Sequence, residues 1–305
     1  MHYDILSVLY QCYLRMDYKF IEKWAHYYND DNVSGLIANL YFMNPDEMKN
    51  ELGDNHSDID VVEMFRISTN LFKKYLPNTK VLFSIEGCDY IQDVEELEEL
   101  YELGLRNILL VWNNPNKYGS GNMGDYGLTE EGVKFLKKAV DLGITIDLSH
   151  MNDNTFWDTI KLLKEQKELG KDVKVIASHS NSYELCPHNR NLDKEQIMAL
   201  KELDAVIGIV SCSSFVLSSN SSVEVLRKKY LEHIEYMVSL VGIDNVGIAT
   251  DDMIFDLALF NQNTGGTQIF DYSEVKSELV KLLSEKFNDE EINKILYKNI
   301  NDKLF

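Results

Sequence analysis

Two short apolar runs in this chain end on a histidine: GITIDLSH, from Gly143 to His150, and VKVIASH, from Val173 to His179, with an arginine, Arg190, eleven residues further on. Three other apolar runs end on polar residues: KVLFSIEG on Glu86, RNILLVWN on Asn113, and NVGIATD on Asp251. Glutamate, two imidazoles and an aspartate form a hard-to-borderline ligand set suited to Zn²⁺ or a similar divalent ion. His2 and Asp4 add an HxD pair whose side chains share one face if the segment is a strand. That makes ligands enough for two ions, with Glu86, the one glutamate at a strand tip, between them. Two ions about 3.5 to 4 Å apart share a hydroxide, lower its pKa and polarise a carbonyl for attack. The chemistry expected is hydrolysis.

Such residues need a scaffold that brings distant segments to one point. Apolar, β-branched runs bounded by polar residues predict strands at 33–43, 80–87, 106–113, 143–150, 173–180, 205–212 and 245–251, with a short one at 1–5. Between them, helical spacing predicts one or two amphipathic helices over 5–28 and further helices over 58–75, 94–103, 129–142, 153–170, 193–203 and 223–241. Two more, over 273–286 and 290–305, close the chain. The Thr129 start and the Gly143 stop of one helix follow ordinary capping rules. Alternation of this kind fits an α/β protein, either a doubly wound sheet or a closed (β/α)₈ TIM barrel. The polar strand tips select the barrel, because only closure brings so many non-adjacent strand ends together. One domain over residues 1–305 is expected, since no linker or repeat divides the chain.

Composition narrows the partners. With 305 residues and 45% apolar content the chain can bury a full core. A formal charge of −20 argues against nucleic acid or an anionic membrane as partner. Four scattered cysteines without a CxxC pair fit reduced thiols. The amino terminus shows no basic n-region, and no apolar run reaches about 18 residues. A cytoplasmic protein is expected, with a homodimer as the assembly considered.

The ordered set of motifs resembles the renal (membrane) dipeptidase family of zinc metallopeptidases in its shorter bacterial form. HYD at 2–4, SIEG at 84–87, LLVWN at 109–113, DLSH at 147–150, SHSNSYELCPHNRN at 178–191 and GIATD at 247–251 carry the resemblance. It implies a barrel of the metal-dependent amidohydrolase type holding two zinc ions. His2 and Asp4 would bind the first, Glu86 would bridge, and His150 and His179 would bind the second. Arg190 would hold the C-terminal carboxylate of a dipeptide, a task its fork of donors suits. Asp251 would contact the substrate's amino end and carry a proton to the leaving amine. Trp112 and Asn113 would line the substrate cavity.

Three departures from the family pattern stand out. His2 follows Met1 directly, so the first strand is expected to be a stub that leaves the first zinc site least secure. Trp112 stands where vertebrate members have histidine. Asp251-Asp252-Met253-Ile254 replaces the usual Asp-Phe-Asp-Gly, and strand phase favours Asp251 as the site residue. His26, His56 and His233 are read as non-functional, while His188 is a candidate pocket residue. Two alternatives to a dipeptidase are an amidohydrolase of other specificity, such as a deacylase or lactam hydrolase, and a catalytically impaired barrel with an incomplete first metal site.

Overall fold

The computed structural model describes residues 2–8, 33–41, 60–219, 221–253, 269–270 and 275–305, with the backbone alone for 2–8, 33, 252–253 and 275–276. Strands β1 (His2–Val8), β2 (Val33–Tyr41), β3 (Lys80–Glu86), β4 (Leu105–Leu109), β5 (Thr145–Asp147), β6 (Val175–Ala177), β7 (Val206–Val210) and β8 (Val246–Ala249) are all parallel. A two-residue strand β9 (Asp252–Met253) continues β8 and pairs with β1, so the sheet order returns on itself and closes a barrel. The (β/α)₈ expectation is met.

Helices α1 (Val61–Tyr75), α2 (Val94–Leu103), α3 (Glu130–Leu142), α4 (Asp153–Glu168), α5 (Lys194–Glu202) and α7 (Val223–Val241) connect successive strands, with a four-residue α6 (Ser213–Val216) after β7. Their starts are written in the sequence. Asp60, Asp93, Thr129, Asn152, Asp193 and Ser222 each accept a hydrogen bond from a first-turn amide. Gly104 and Gly143 take the left-handed conformation that ends α2 and α3. The expected last helix is instead α9 (Asp289–Asn293), a π-helical turn Lys294–Lys298 and α10 (Asn299–Leu304), after α8 (Val275–Leu283).

The main apolar core lies between the barrel and its helices. A separate cluster of Ile37, Leu82, Ile176, Val206 and Ala249 comes from five different strands, and Ile300 of α10 packs into it. Because side chains alternate along a strand, Leu82, Ser84 and Glu86 face one way. The barrel interior is therefore apolar beneath and polar above.

Two expectations about strands need correction. The runs ending on Asn113 and His150 leave the sheet early, at Leu109 and Asp147. At Asp147 the reason is visible: its Oδ1 accepts the backbone N–H groups of Ser149 and Ser178 at 3.0 Å each, turning the chain away from the ladder. The first strand is a seven-residue element rather than a stub, and it takes in Ile5–Val8, which were expected to begin a helix. The remainder of that helix, residues 9–28, lies outside the described residues.

Candidate metal centre

Glu86 is the last residue of β3, His150 stands three residues past β5, and His179 stands two past β6. All three are buried, and one ligand atom of each lies within 4.8 Å of the other two. Glu86 Oε1 is 3.0 Å from His150 Nε2 and 3.7 Å from His179 Nε2. Ligands about 2.0 to 2.1 Å from a tetrahedral Zn²⁺ stand roughly 3.3 Å apart, so these separations bracket a coordination shell. The rings tilt against each other with centroids 4.8 Å apart.

Each imidazole is oriented from behind. His150 Nδ1 meets Asn113 Oδ1 at 2.9 Å, so Nδ1 carries the proton and Nε2 presents its lone pair to the centre. His150 itself holds a positive φ of 73°, a conformation rare for a residue with a side chain. His179 Nδ1 meets Ser178 Oγ at 2.7 Å, and the His179 backbone N–H donates to Ser149 Oγ at 3.1 Å. Its Nε2 is buried and has no hydrogen-bond partner. An orphaned imidazole nitrogen aimed at a buried carboxylate fits a missing cation. Burial pushes both histidines well below their ordinary range, reinforced by the charge of Arg190, so they are neutral and able to ligate. Burial pushes the Glu86 carboxyl well up, and the charge of Asp251 adds to this while Arg190 opposes it.

Arg190 is 7% exposed, and its Nη2 has no hydrogen-bond partner. Burial lowers its pKa to about 10 against the opposing charges of Asp251 and Glu86. Its guanidinium carbon lies 5.7 Å from the Phe215 ring, which also packs on His188 at 4.6 Å. Asn181 and Asn191 both donate to the Phe215 carbonyl, at 3.2 and 2.8 Å, and so tie the arginine loop to α6. His233 joins them from α7. It accepts the Ser182 N–H on Nδ1 at 3.2 Å and donates from Nε2 to the Val216 carbonyl at 3.0 Å.

The rim thus brings together Glu86, His150, His179, Asn113 and Arg190. Trp112 is half-buried beside them, 5.9 Å from the His150 ring and 4.6 Å from Tyr41. Asp251 adopts a positive φ of 51° between β8 and β9, and its charge is felt by both Glu86 and Arg190. The side chain of Asp252 lies outside the described residues.

Of His2 and Asp4 the structure describes the backbone alone. Their backbones pair with Val33 and Leu36 near the amino end of β2, whereas Glu86 pairs with Tyr41 at its carboxyl end. Eight and five residues of strand intervene, roughly 26 and 16 Å. Their side chains lie outside the described residues.

Sequence reasoning passed over two residues. Asp147 ties together the two turns that bear the histidines, and Asn39 of β2 donates from Nδ2 to Glu86 Oε2 at 3.3 Å. Each is a lone polar residue inside or at the end of an apolar run, which was the available signal.

The chain matches the family described as membrane dipeptidase, peptidase family M19, over residues 24–301. An uncharacterized protein of the PQQ-III 3' region of Acinetobacter calcoaceticus is 32% identical over 176 residues, 53% of this chain and 52% of that protein. An uncharacterized dipeptidase of Schizosaccharomyces pombe is 26% identical over 178 residues, covering 56% of this chain and 41% of that protein. The match to these curated relatives spans about half their length or less. Among solved structures, a dipeptidase AC of family M19 superposes with a TM-score of 0.76 at 19% identity, covering 99% of this chain and 97% of that one. A metallopeptidase from Rhodobacter sphaeroides, liganded with a phosphinate mimic of L-Ala-D-Ala, gives 0.73 at 17% identity over 100% and 99% of the two chains. Dihydroorotase from Saccharomyces cerevisiae shares the fold more distantly, at 0.58 and 9% identity over 100% and 85%. A match running from residue 24 to residue 301 settles the affiliation: the chain belongs to the membrane dipeptidase family, M19.

Proposed function

We propose that this protein is a metal-dependent dipeptidase whose cation, zinc, is held by Glu86, His150 and His179. The bound ion would supply a water of lowered pKa and a Lewis acid for the scissile carbonyl. The chain's own residues do the rest. Arg190 offers its unpaired Nη2 to the carboxylate of the C-terminal residue, a charge-assisted contact in a site where water is largely excluded. Asp251 lies near enough for its charge to act on Glu86 and Arg190, in place to hold the substrate's amino end and pass a proton to the leaving amine. Trp112 walls the cavity, and Asn113 keeps His150 in its ligating tautomer.

The observation that carries this reading is a buried arginine donor without a partner beside three convergent metal ligands. A deacylase or lactam hydrolase could use the same cation, but the guanidinium favours a substrate ending in a carboxylate. The test is a panel of dipeptides, with L- and D-residues at the C-terminal position and a D-residue included because the Rhodobacter protein was liganded with an L-Ala-D-Ala mimic. Chelator should abolish hydrolysis and zinc restore it. Arg190→Ala should raise KM by about a hundredfold, the loss of one buried charge-assisted contact, with zinc content unchanged. Hydrolysis of C-terminally amidated and free dipeptides at equal rates would refute the assignment.

A further inference from the structure

Beneath the metal ligands, Asn39, Ser84, Asn107 and Thr145 stand at one level on β2, β3, β4 and β5, each paired with the next across the sheet. All four are buried. Asn107 Nδ2 donates to Ser84 Oγ at 2.8 Å, and Asn39 Nδ2 donates to Glu86 Oε2 at 3.3 Å. Holding a cation, Glu86 is ionised and only accepts, so the amide must present its nitrogen to it, which fixes the orientation of Asn39. Its own Oδ1 is left buried and unpartnered, a cost that an apolar residue would not incur. Packing alone does not explain an asparagine there.

We infer that Asn39 is a positioning residue for the metal centre: by holding Glu86 Oε2 it stops the carboxylate from rotating and turns Oε1 toward His150 and His179. The distances agree. The oxygen not held by Asn39 is the one 3.0 and 3.7 Å from the two imidazole nitrogens. Glu86 has three side-chain torsions, and a carboxylate free to swing would have to be ordered each time a cation bound. The inference rests on the reading that Glu86, His150 and His179 hold the cation.

The test measures zinc affinity, not turnover. Apo protein and the variants Asn39→Leu, nearly the same shape without a donor, and Asn39→Ala are titrated with Zn²⁺ against a chromogenic chelator, and the Tm of each apo form is recorded. Loss of a residue that orients a ligand weakens metal binding by about 10- to 100-fold. Both variants should show that loss, with the apo Tm of Asn39→Leu unchanged or raised. Variants that bind zinc within twofold of the parent, with or without a lower Tm, would overturn the inference, because a packing role moves stability and not affinity. If Asn39→Leu does not fold, Asn39→Ala decides on the same criterion. A parent that binds no zinc would overturn the cation reading itself, a result distinguishable from the first.

Discussion

The turns after β5 and β6 and the strand β1 all bear histidines expected to ligate metal, and among the described side chains those of the two turns meet at the rim. In the turns the position of each imidazole is over-determined. Asp147 Oδ1 accepts from the amides of Ser149 and Ser178, Ser149 Oγ accepts from the His179 amide, and Asn113 and Ser178 hold the far ring nitrogens. Strand β1 is described by its ladder, and the ladder is irregular, with shifts of register between His2 and Tyr3 and between Asp4 and Ser7. A period-two pattern says which side chains share a face and leaves open how far along its neighbour a strand sits. Polar side chains bonded to the backbone supply that missing coordinate.

The contrast is broken most directly at Asp147. Asp147→Ala leaves the buried Ser149 and Ser178 amides without their acceptor, at about 1–3 kcal/mol each, so a loss of about 3 kcal/mol in urea unfolding is expected together with weaker zinc binding. Asp147→Asn keeps an acceptor oxygen and should lie within about 1 kcal/mol of the parent, since burial already raises the Asp147 carboxyl and penalises its charge. If Asp147→Ala is as stable as the parent and binds zinc equally, the two turns are held by something else.

Much of the fold was legible because its strands are buried on both faces and read as continuous apolar runs, and because helix caps at Asp93, Thr129, Asn152 and Asp193 are short-range signals. Glu86, His150 and His179 were legible as polar tips on those runs, and Arg190 as the arginine that follows the last of them. What was not legible depends on contacts distant in sequence: Asn39 reaches Glu86 across 47 positions, and His233 reaches Ser182 across 51. His233 was read as a plain helix residue because nothing near it in the chain hints at its two partners.

That histidine gives the second way to sharpen the comparison, since it ties down the arginine loop as Asp147 ties down the histidine turns. Burial pushes the His233 pKa down to about 4, outweighing its bond to the Val216 carbonyl, whereas in the unfolded chain it titrates near 6.5. Its folded pKa is depressed, so the unfolded state takes up protons first. The contribution to stability is fully present above pH 6.5 and is lost as pH falls toward 4, by about 2 kcal/mol between pH 8 and pH 5. His233→Gln cannot titrate there, so the difference between parent and variant in urea midpoint should narrow by that amount on acidification. A difference independent of pH would mean that His233 titrates in the fold as it does in the unfolded chain.

The smallest effect is expected at β1. The backbones of His2 and Asp4 align with Val33 and Leu36, and the described rim supplies ligands for one tightly held ion. Zinc measured on dialysed protein should come to about one equivalent per chain, and His2→Ala should change neither that number nor the affinity by more than about twofold. The same substitution at His179 should abolish binding, because a tetrahedral site with three protein ligands loses a third of them. Two equivalents in the parent and one in His2→Ala would show that β1 stands further along the barrel, with His2 and Asp4 at the rim and Glu86 between two ions. Glu86 Oε2 has a second lone pair beside the one that accepts from Asn39, so zinc counting on His2→Ala and zinc affinity on Asn39→Leu interrogate the same oxygen from opposite sides.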